Sequence, residues 1–406
     1  MKRKILLIHN GYPLGEEVGD KVRVLNMAQS LQKIGLKVFF LAFYKRGFSA
    51  LRKERANAPM DVKCFFIYTL PDRLGLTGIA ALYRALYTWW IVKRYGIELI
   101  QIETSLSASC VRFVDRTIPV FTDFHADPVP ELEMNGHSRE YIRKTIRDIR
   151  YILKRSQKVI AVSNNLLMNL REYYPYEGKT AVLPCSFNEH IFQEVNVCAS
   201  QELRKELGLE GRIVLCYLGG THRWQCIEET LDLFMRLRQL DPRYFLCIYT
   251  NGDLSPFMNR LNLLTGNYLC KGLPYKKVPL FLSIVDAGFV LRQKSLVNIN
   301  ASPTKTAEYL ASGAMVVATK YSGDAPVLIQ ESGCGFLLDG VQPSDNELMA
   351  LHKRILSYME SREIYASKAR AYAFNERVWI SNERKLAELY EEYGCLLYTS
   401  DAADDK

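Results

Sequence analysis

The sequence predicts an α/β chain of two doubly wound domains facing a central cleft. Short β-branched and aromatic runs alternate with helical patterns along the whole length, as in parallel sheets built from β-α-β units. The 406 residues exceed what one hydrophobic core usually organises. The periodicity lapses near LPCSFNEHIFQEVNVCAS, residues 183–200, where a proline precedes small and polar residues, and a domain boundary is expected there.

Taken in order, strands are expected near residues 4–9, 37–43, 63–67, 97–102, 118–122 and 158–162. A second series runs through RIVLCYLGG at 212, YFLCIYT at 244, NYLCKG at 267, AGFVLR at 287, AMVVAT at 314 and GFLLD at 335. The expected division is 1–190 for the first Rossmann-like domain, 191–374 for the second and 375–394 for helices returning to the first. The last residues, CLLYTSDAADDK at 395–406, change composition abruptly, resemble translated adapter read-through and are set aside as an artefact. Ligands of such sheets bind outside the carboxyl ends of the strands, so a cleft between the domains is the expected site.

Composition excludes several classes. With 48% apolar and 24% charged residues, the chain reads as globular rather than disordered, and a net charge of +9 points only weakly to acidic partners. Ten cysteines without a CxxC or zinc spacing are expected to be reduced, in the cytoplasm. The opening MKRKILLIHNGYP is too briefly apolar for a signal peptide, and IAALYRALYTWWIV at 79–92 is too short to span a bilayer and carries Arg84. No GxGxxG follows the first strand, no Walker A sequence is present, and neither a DxD pair nor a metal-binding histidine spacing is found. Nucleic acid is not expected as a partner, because no binding module accompanies the basic residues.

One segment carries the chemistry. In NINASPTKTAEYLASGAMVVAT, residues 298–319, Ser302 is the expected N-cap, Pro303 the first helical residue and Gly313 the stop. Lys305 then falls where a capping box would place Glu or Gln, and the helix dipole disfavours a cation there by about 0.3–1 kcal/mol. Either Lys305 pairs with Glu308 one turn on, or it helps the free amides hold an anion.

With its flanking strands and the loop LRQKSLVNINASPTK, this segment resembles the nucleotide-sugar site of retaining glycosyltransferases of family 4, which have the GT-B fold. The resemblance implies that Ser302, Thr304 and the nearby amides receive a donor diphosphate and that Glu308 binds the ribose. Asn300 stands where many members carry a second glutamate. In CYLGGTHRWQCIEETLDLF at 216, Gly220 lies in the loop that faces the diphosphate and Arg223 matches the family's arginine, while Gln225 replaces its usual lysine; Lys305 and Arg292 are then the nearest substitute cations. By the same resemblance, His125 in PVFTDFHADPVPEL orients the transferred sugar, and Gly19 and Arg23 face the acceptor.

The implied activity is retaining, metal-independent transfer of a sugar from a nucleoside-diphosphate donor to a hydroxyl of a saccharide or lipid-linked acceptor, in bacterial polysaccharide or envelope-glycan synthesis. No cofactor is expected, the nucleotide sugar being a substrate. The alternative is a non-catalytic nucleotide-sugar binder or scaffold, since Asn300 and Gln225 stand where active relatives carry charge. A basic amphipathic helix, with Arg139, Arg143, Arg147, Arg150 and Lys154 beside Ile142, Ile146, Ile149 and Leu153, reads either as a core-packed helix with a solvated face or as a contact for an anionic membrane surface. Trp89 and Trp90 are expected on the same membrane face or in the core.

Overall fold

The computed structural model describes residues 2–9, 19–44, 62–69, 77–193 and 197–393. The chain divides into two compact units, Met1–Pro184 with Trp379–Lys406, and Cys185–Val378. The loop 10–18 that precedes Gly19, and the tail from 394 onward, lie outside the described residues.

The first unit holds seven parallel strands: β1 (Lys4–His9), β2 (Lys37–Tyr44), β3 (Lys63–Tyr68), β4 (Leu99–Glu103), β5 (Val120–Phe124), β6 (Lys158–Ala161) and β7 (Lys179–Val182), in the order β3-β2-β1-β4-β5-β6-β7. Six coincide, within two residues at each end, with expected strands. The seventh, KTAV, was not expected: four residues, none fully buried, leave too thin an apolar signal. Helix Trp379–Tyr390 belongs to this unit because Leu386, Leu389 and Tyr390 join the core of Ile5, Leu7, Phe40 and Phe121. Glu383 on the same helix accepts from Lys33 Nζ at 2.7 Å and from Ser30 Oγ at 3.2 Å.

The second unit repeats the plan with six parallel strands: β8 (Ile213–Leu218), β9 (Tyr244–Tyr249), β10 (Tyr268–Lys271), β11 (Ala287–Val290), β12 (Met315–Thr319) and β13 (Gly335–Leu338), ordered β10-β9-β8-β11-β12-β13. Both sheets therefore reverse their direction of growth once, between β1 and β4 in the first unit and between β8 and β11 in the second. At such a reversal the loops leave the sheet on opposite sides and open a crevice at the carboxyl ends. No helix among the described residues is long and apolar enough to cross a membrane.

Helix Thr304–Ala311 packs so closely on the second sheet that every residue from Lys305 to Ala311 is buried. The Tyr309 hydroxyl accepts from the Leu218 amide at 2.9 Å, and its ring lies over Gly288, where an added Cβ would come within 2.5 Å of it. The helix stops as expected: Gly313 has φ 77°, its amide donates to Leu310 O and that of Ala314 to Tyr309 O, both at 2.9 Å, which closes a Schellman motif.

Its start departs from expectation. Pro303, not Ser302, is the N-cap, and no side chain caps the helix. Ser302 Oγ instead donates to Asp324 Oδ2 at 2.7 Å and accepts from the Cys185 amide at 3.1 Å. A charged carboxylate is a stronger partner than a backbone N–H, and Asp324 is itself fixed by Arg377 at 2.8 Å, so the hydroxyl is drawn away from the helix.

Candidate functional site

At the reversal point of the second sheet, Arg292 follows β11 and the 3-10 turn Arg223–Gln225 follows β8. Both Lys305 and Arg292 are buried, and both bond to one neutral oxygen. Gln225 Oε1 accepts from Lys305 Nζ at 2.8 Å and from Arg292 Nη2 at 2.6 Å. Arg292 Nη1 donates further to Gln225 O at 3.2 Å and to Leu291 O at 2.8 Å. Neither cation forms an ion pair among the described residues, so of the two readings of Lys305 the pair with Glu308 is not made. Burial, and then the charge of Arg292, holds the Lys305 pKa well below its ordinary value. Lys305 also sits over the Tyr217 ring at 5.0 Å, and Gly219, at φ 136°, leaves room for it: a Cβ there would come within 2.8 Å of Nζ.

Glu308 lies one turn along, 6% exposed. Burial pushes its carboxyl up to about 7, against the pull of Lys305 and of Tyr275. The Tyr275 hydroxyl faces it without a hydrogen-bond partner in normal geometry. Two cations and one easily neutralised acid, all three buried, form a set whose charges suit a ligand with several negative charges, and the acid can accept from a hydroxyl.

The other expected donor residues occupy the same neighbourhood. Thr304 opens the helix, half-buried, and Asn300 is buried just past the short helix Leu296–Ile299. Gly220 O accepts from the Tyr217 hydroxyl. Arg223 is exposed and lines a cavity of about 470 Å³ with Thr221, His222, Glu229, Phe257 and Gln293, which does not include Lys305, Arg292 or Glu308. The turn thus aims its cation outward while Gln225, two residues on, reaches the buried pair.

A second cluster lies at the carboxyl ends of β4 and β5 in the first unit. Arg23 donates to both oxygens of Asp123, at 2.9 and 3.0 Å, and to Leu183 O at 2.9 Å. His125 Nε2 lies 3.1 Å from Glu103 Oε2 and 3.4 Å from Asp123 Oδ2. Burial works against a charged ring, but the charge of Asp123 and hydrogen bonds to Asp123 and Glu103 outweigh it, and the His125 pKa is pushed up to about 9. Burial alone would raise the Asp123 pKa; the charges of Arg23 and His125 carry it below the ordinary carboxylate value. Arg23 is therefore fully engaged within the unit, and Gly19 is the first residue of the helix that carries it.

Glu103 and Asp123 were missed from sequence. The signal was there: Asp123 and His125 are two apart at the end of a strand, as are Gln101 and Glu103, so each pair shares a face. Ligand atoms of Glu103, Asp123 and His125 lie within 4.8 Å of one another, a spacing that could hold a metal ion. An ion there would share Asp123 with the Arg23 guanidinium, and the existing pairs already balance these charges, so the donor set fits a metal poorly.

The described residues contain two non-glycine residues of positive φ, Thr104 at 70° and Cys226 at 53°. Thr104 follows Glu103 and Cys226 follows Gln225, so each strained residue adjoins one of the two clusters. Such conformations cost about 1–3 kcal/mol and persist where the surroundings fix them.

Residues 19–190 match the Glycosyltransferase Family 4 model. No curated protein matches in sequence. Among solved structures, sucrose-phosphate synthase from Thermosynechococcus elongatus is 16% identical with a TM-score of 0.75, covering 97% of this chain and 99% of its own. HepE from Anabaena, solved in complex with UDP-glucose, is 16% identical with a TM-score of 0.72, covering 96% and 99%. WaaG, a glycosyltransferase involved in lipopolysaccharide biosynthesis, is 13% identical with a TM-score of 0.70, covering 95% and 99%.

Proposed function

We propose, from the match of residues 19–190 to the Glycosyltransferase Family 4 model and from the GT-B fold shared with the glycosyltransferases it resembles, that the chain transfers a sugar from a nucleoside-diphosphate donor to a hydroxyl of a saccharide or lipid-linked acceptor, with retention of configuration and without a metal ion. The observation that carries this reading is the convergence of two buried, unpaired cations on the single neutral oxygen of Gln225. An oxygen that two cations share is a place a phosphoryl oxygen can take over, with a gain in charge complementarity. HepE, solved with UDP-glucose, supports a donor of this class.

In this mechanism the diphosphate oxygens displace Gln225 Oε1 from Lys305 and Arg292, and Arg223 turns its exposed guanidinium to the same anion. The Ser302–Thr304 segment and Gly220 border the diphosphate, Glu308 accepts from a ribose hydroxyl, and Asn300 hydrogen-bonds the sugar. As the glycosidic bond to phosphate lengthens, negative charge grows on the leaving oxygen, and fixed cations stabilise it without reorganisation. The departing phosphate takes the acceptor proton on the same face. His125, held charged by Asp123 and Glu103, orients the sugar; Gly19 remains on the acceptor side, and Arg23 contributes by fixing Asp123. The setting proposed is the cytoplasm of a bacterium, in polysaccharide or envelope-glycan assembly.

A thermal-shift series with UDP, GDP and CMP sugars tests the donor, with Glu308→Ala expected to abolish the shift. NMR of the anomeric proton in the product tests retention. Nucleotide binding with no donor turnover across saccharide and lipid-linked acceptors would replace this reading with the non-catalytic binder that Gln225 and Asn300 also permit.

A further inference from the structure

Helix Thr77–Tyr95 buries one face, with Ala80, Arg84, Ala85, Thr88, Ile91 and Val92 inside. Its opposite face is also apolar. Ile79, Leu82, Tyr83, Leu86, Trp89 and Trp90 recur at helical spacing and stand 42–57% exposed. The aromatic rings form a continuous run, with Tyr83 6.2 Å from Tyr87 and Tyr87 5.5 Å from Trp90, and Tyr83, Leu86, Tyr87 and Trp90 line an apolar hollow of about 390 Å³. A helix apolar on all sides is normally buried, so a contiguous exposed patch of this kind marks a surface that something covers.

The charges around it say what. Helix Arg139–Arg155 packs on the same 3-10 segment, Ser105–Val111, as helix Thr77–Tyr95, and its Asp148 feels the charge of Arg84 on that helix. Arg139, Arg143, Arg147, Arg150 and Lys154 are all exposed on it, and none makes an ion pair among the described residues. The last turn of helix Thr77–Tyr95 adds Lys93 and Arg94. Tryptophan and tyrosine favour the boundary between headgroups and acyl chains, and unpaired arginines favour anionic headgroups.

We propose that the exposed face of helix Thr77–Tyr95 docks on an anionic lipid bilayer, with its aromatic and aliphatic side chains entering the interface and the cations of helix Arg139–Arg155 engaging the headgroups. The contact lies in the plane of the membrane and involves no crossing helix. It rests on the surface of the first unit and not on the donor site, so it stands or falls separately from the proposed transfer.

The test is co-sedimentation of the full chain with phosphatidylcholine vesicles, with and without phosphatidylglycerol. The wild type is expected to bind the anionic vesicles, with a blue-shifted tryptophan emission, and to be released by salt. Leu86→Glu/Trp90→Glu should weaken binding by at least about tenfold, and Arg143→Glu/Arg147→Glu should remove the preference for phosphatidylglycerol. Cooperative thermal unfolding checks that each variant folds; Leu86→Ser/Trp90→Ser replaces the first if it does not. Equal binding by wild type and variants, or no binding by wild type, overturns the proposal. So does a dimer, detected by sedimentation velocity, that Leu86→Glu/Trp90→Glu dissociates, since the face would then cover a second copy. A nucleotide-sugar thermal shift on the same samples reports the donor site independently.

Discussion

Both units place buried charge at the carboxyl ends of their parallel strands, at β4 and β5 in the first and at β8 and β11 in the second, and balance it in opposite ways. In the first, Arg23 and His125 face Asp123 and Glu103, cations against carboxylates, within 2.9–3.4 Å. In the second, Lys305 and Arg292 share the neutral oxygen of Gln225, and Glu308 stays outside ion-pair distance. A cluster that neutralises itself needs nothing further to be stable. One that leaves two cations desolvated and unpaired carries a standing cost, which an anionic ligand relieves. The contrast separates charges that are balanced within the fold from charges that are not, and the proposed function assigns the second kind to an anionic donor.

That contrast predicts opposite stability effects, and the largest should come from the balanced cluster. Asp123→Ala leaves Arg23 buried without a carboxylate and should destabilise the first unit by about 3–5 kcal/mol in urea unfolding. Lys305→Met removes an unpaired buried cation, so stability should hold or rise by about 1 kcal/mol, while donor turnover falls on the order of 10²–10³-fold. Equal destabilisation by both substitutions would erase the distinction. Gln225→Lys sharpens it at a smaller scale: a third cation beside Lys305 and Arg292 should destabilise the free protein by about 1 kcal/mol and tighten inorganic pyrophosphate about tenfold, with both effects shrinking in salt. Isothermal titration at two salt concentrations reads the second part.

Why one cluster was legible in sequence and the other only half so follows from how each is encoded. Lys305 breaks a local rule, a cation in a first helical turn, and that one segment therefore stands out from its own sequence. Gln225 and Arg292 could be brought to it only through the resemblance, because they are 67 residues apart and meet by topology. In the first unit His125 was singled out through the resemblance, while Asp123 and Glu103 were not; their alternation with Phe124 and Ile102 was the usable signal. Arg23 was placed on the acceptor side by resemblance alone, and its bond to Asp123, 100 residues away, is a contact that no local pattern encodes. The strand alternation was legible since buried parallel strands leave dense apolar runs, and β7 escaped because it is short and half-covered. The Ser302 cap failed for a reason no local pattern holds: Asp324, 22 residues later, takes the hydroxyl.

The smallest expected effect is also the one that tests the comparison over pH. Glu308 has its carboxyl raised from 4.5 to about 7, so the folded second unit keeps a proton that the unfolded chain has lost, and stability falls as pH rises across that window. Lys305, held well below its ordinary 10.5, works the other way: between its folded value and 10.5 the unfolded chain binds the extra proton, so stability rises with pH there. In the first unit His125 is raised from 6.5 to about 9; its contribution is complete below 6.5 and is lost as pH climbs through 9. Urea unfolding followed in parallel at a series of pH values should therefore lose its slope between 4.5 and 7 in Glu308→Gln, and between 6.5 and 9 in His125→Gln. Trp224 is the one tryptophan of residues 185–378 and reports the second unit, while Trp89, Trp90 and Trp379 report the first. If His125→Gln altered the Trp224 transition as much as that of the other three, the two charge clusters would not contribute to stability independently.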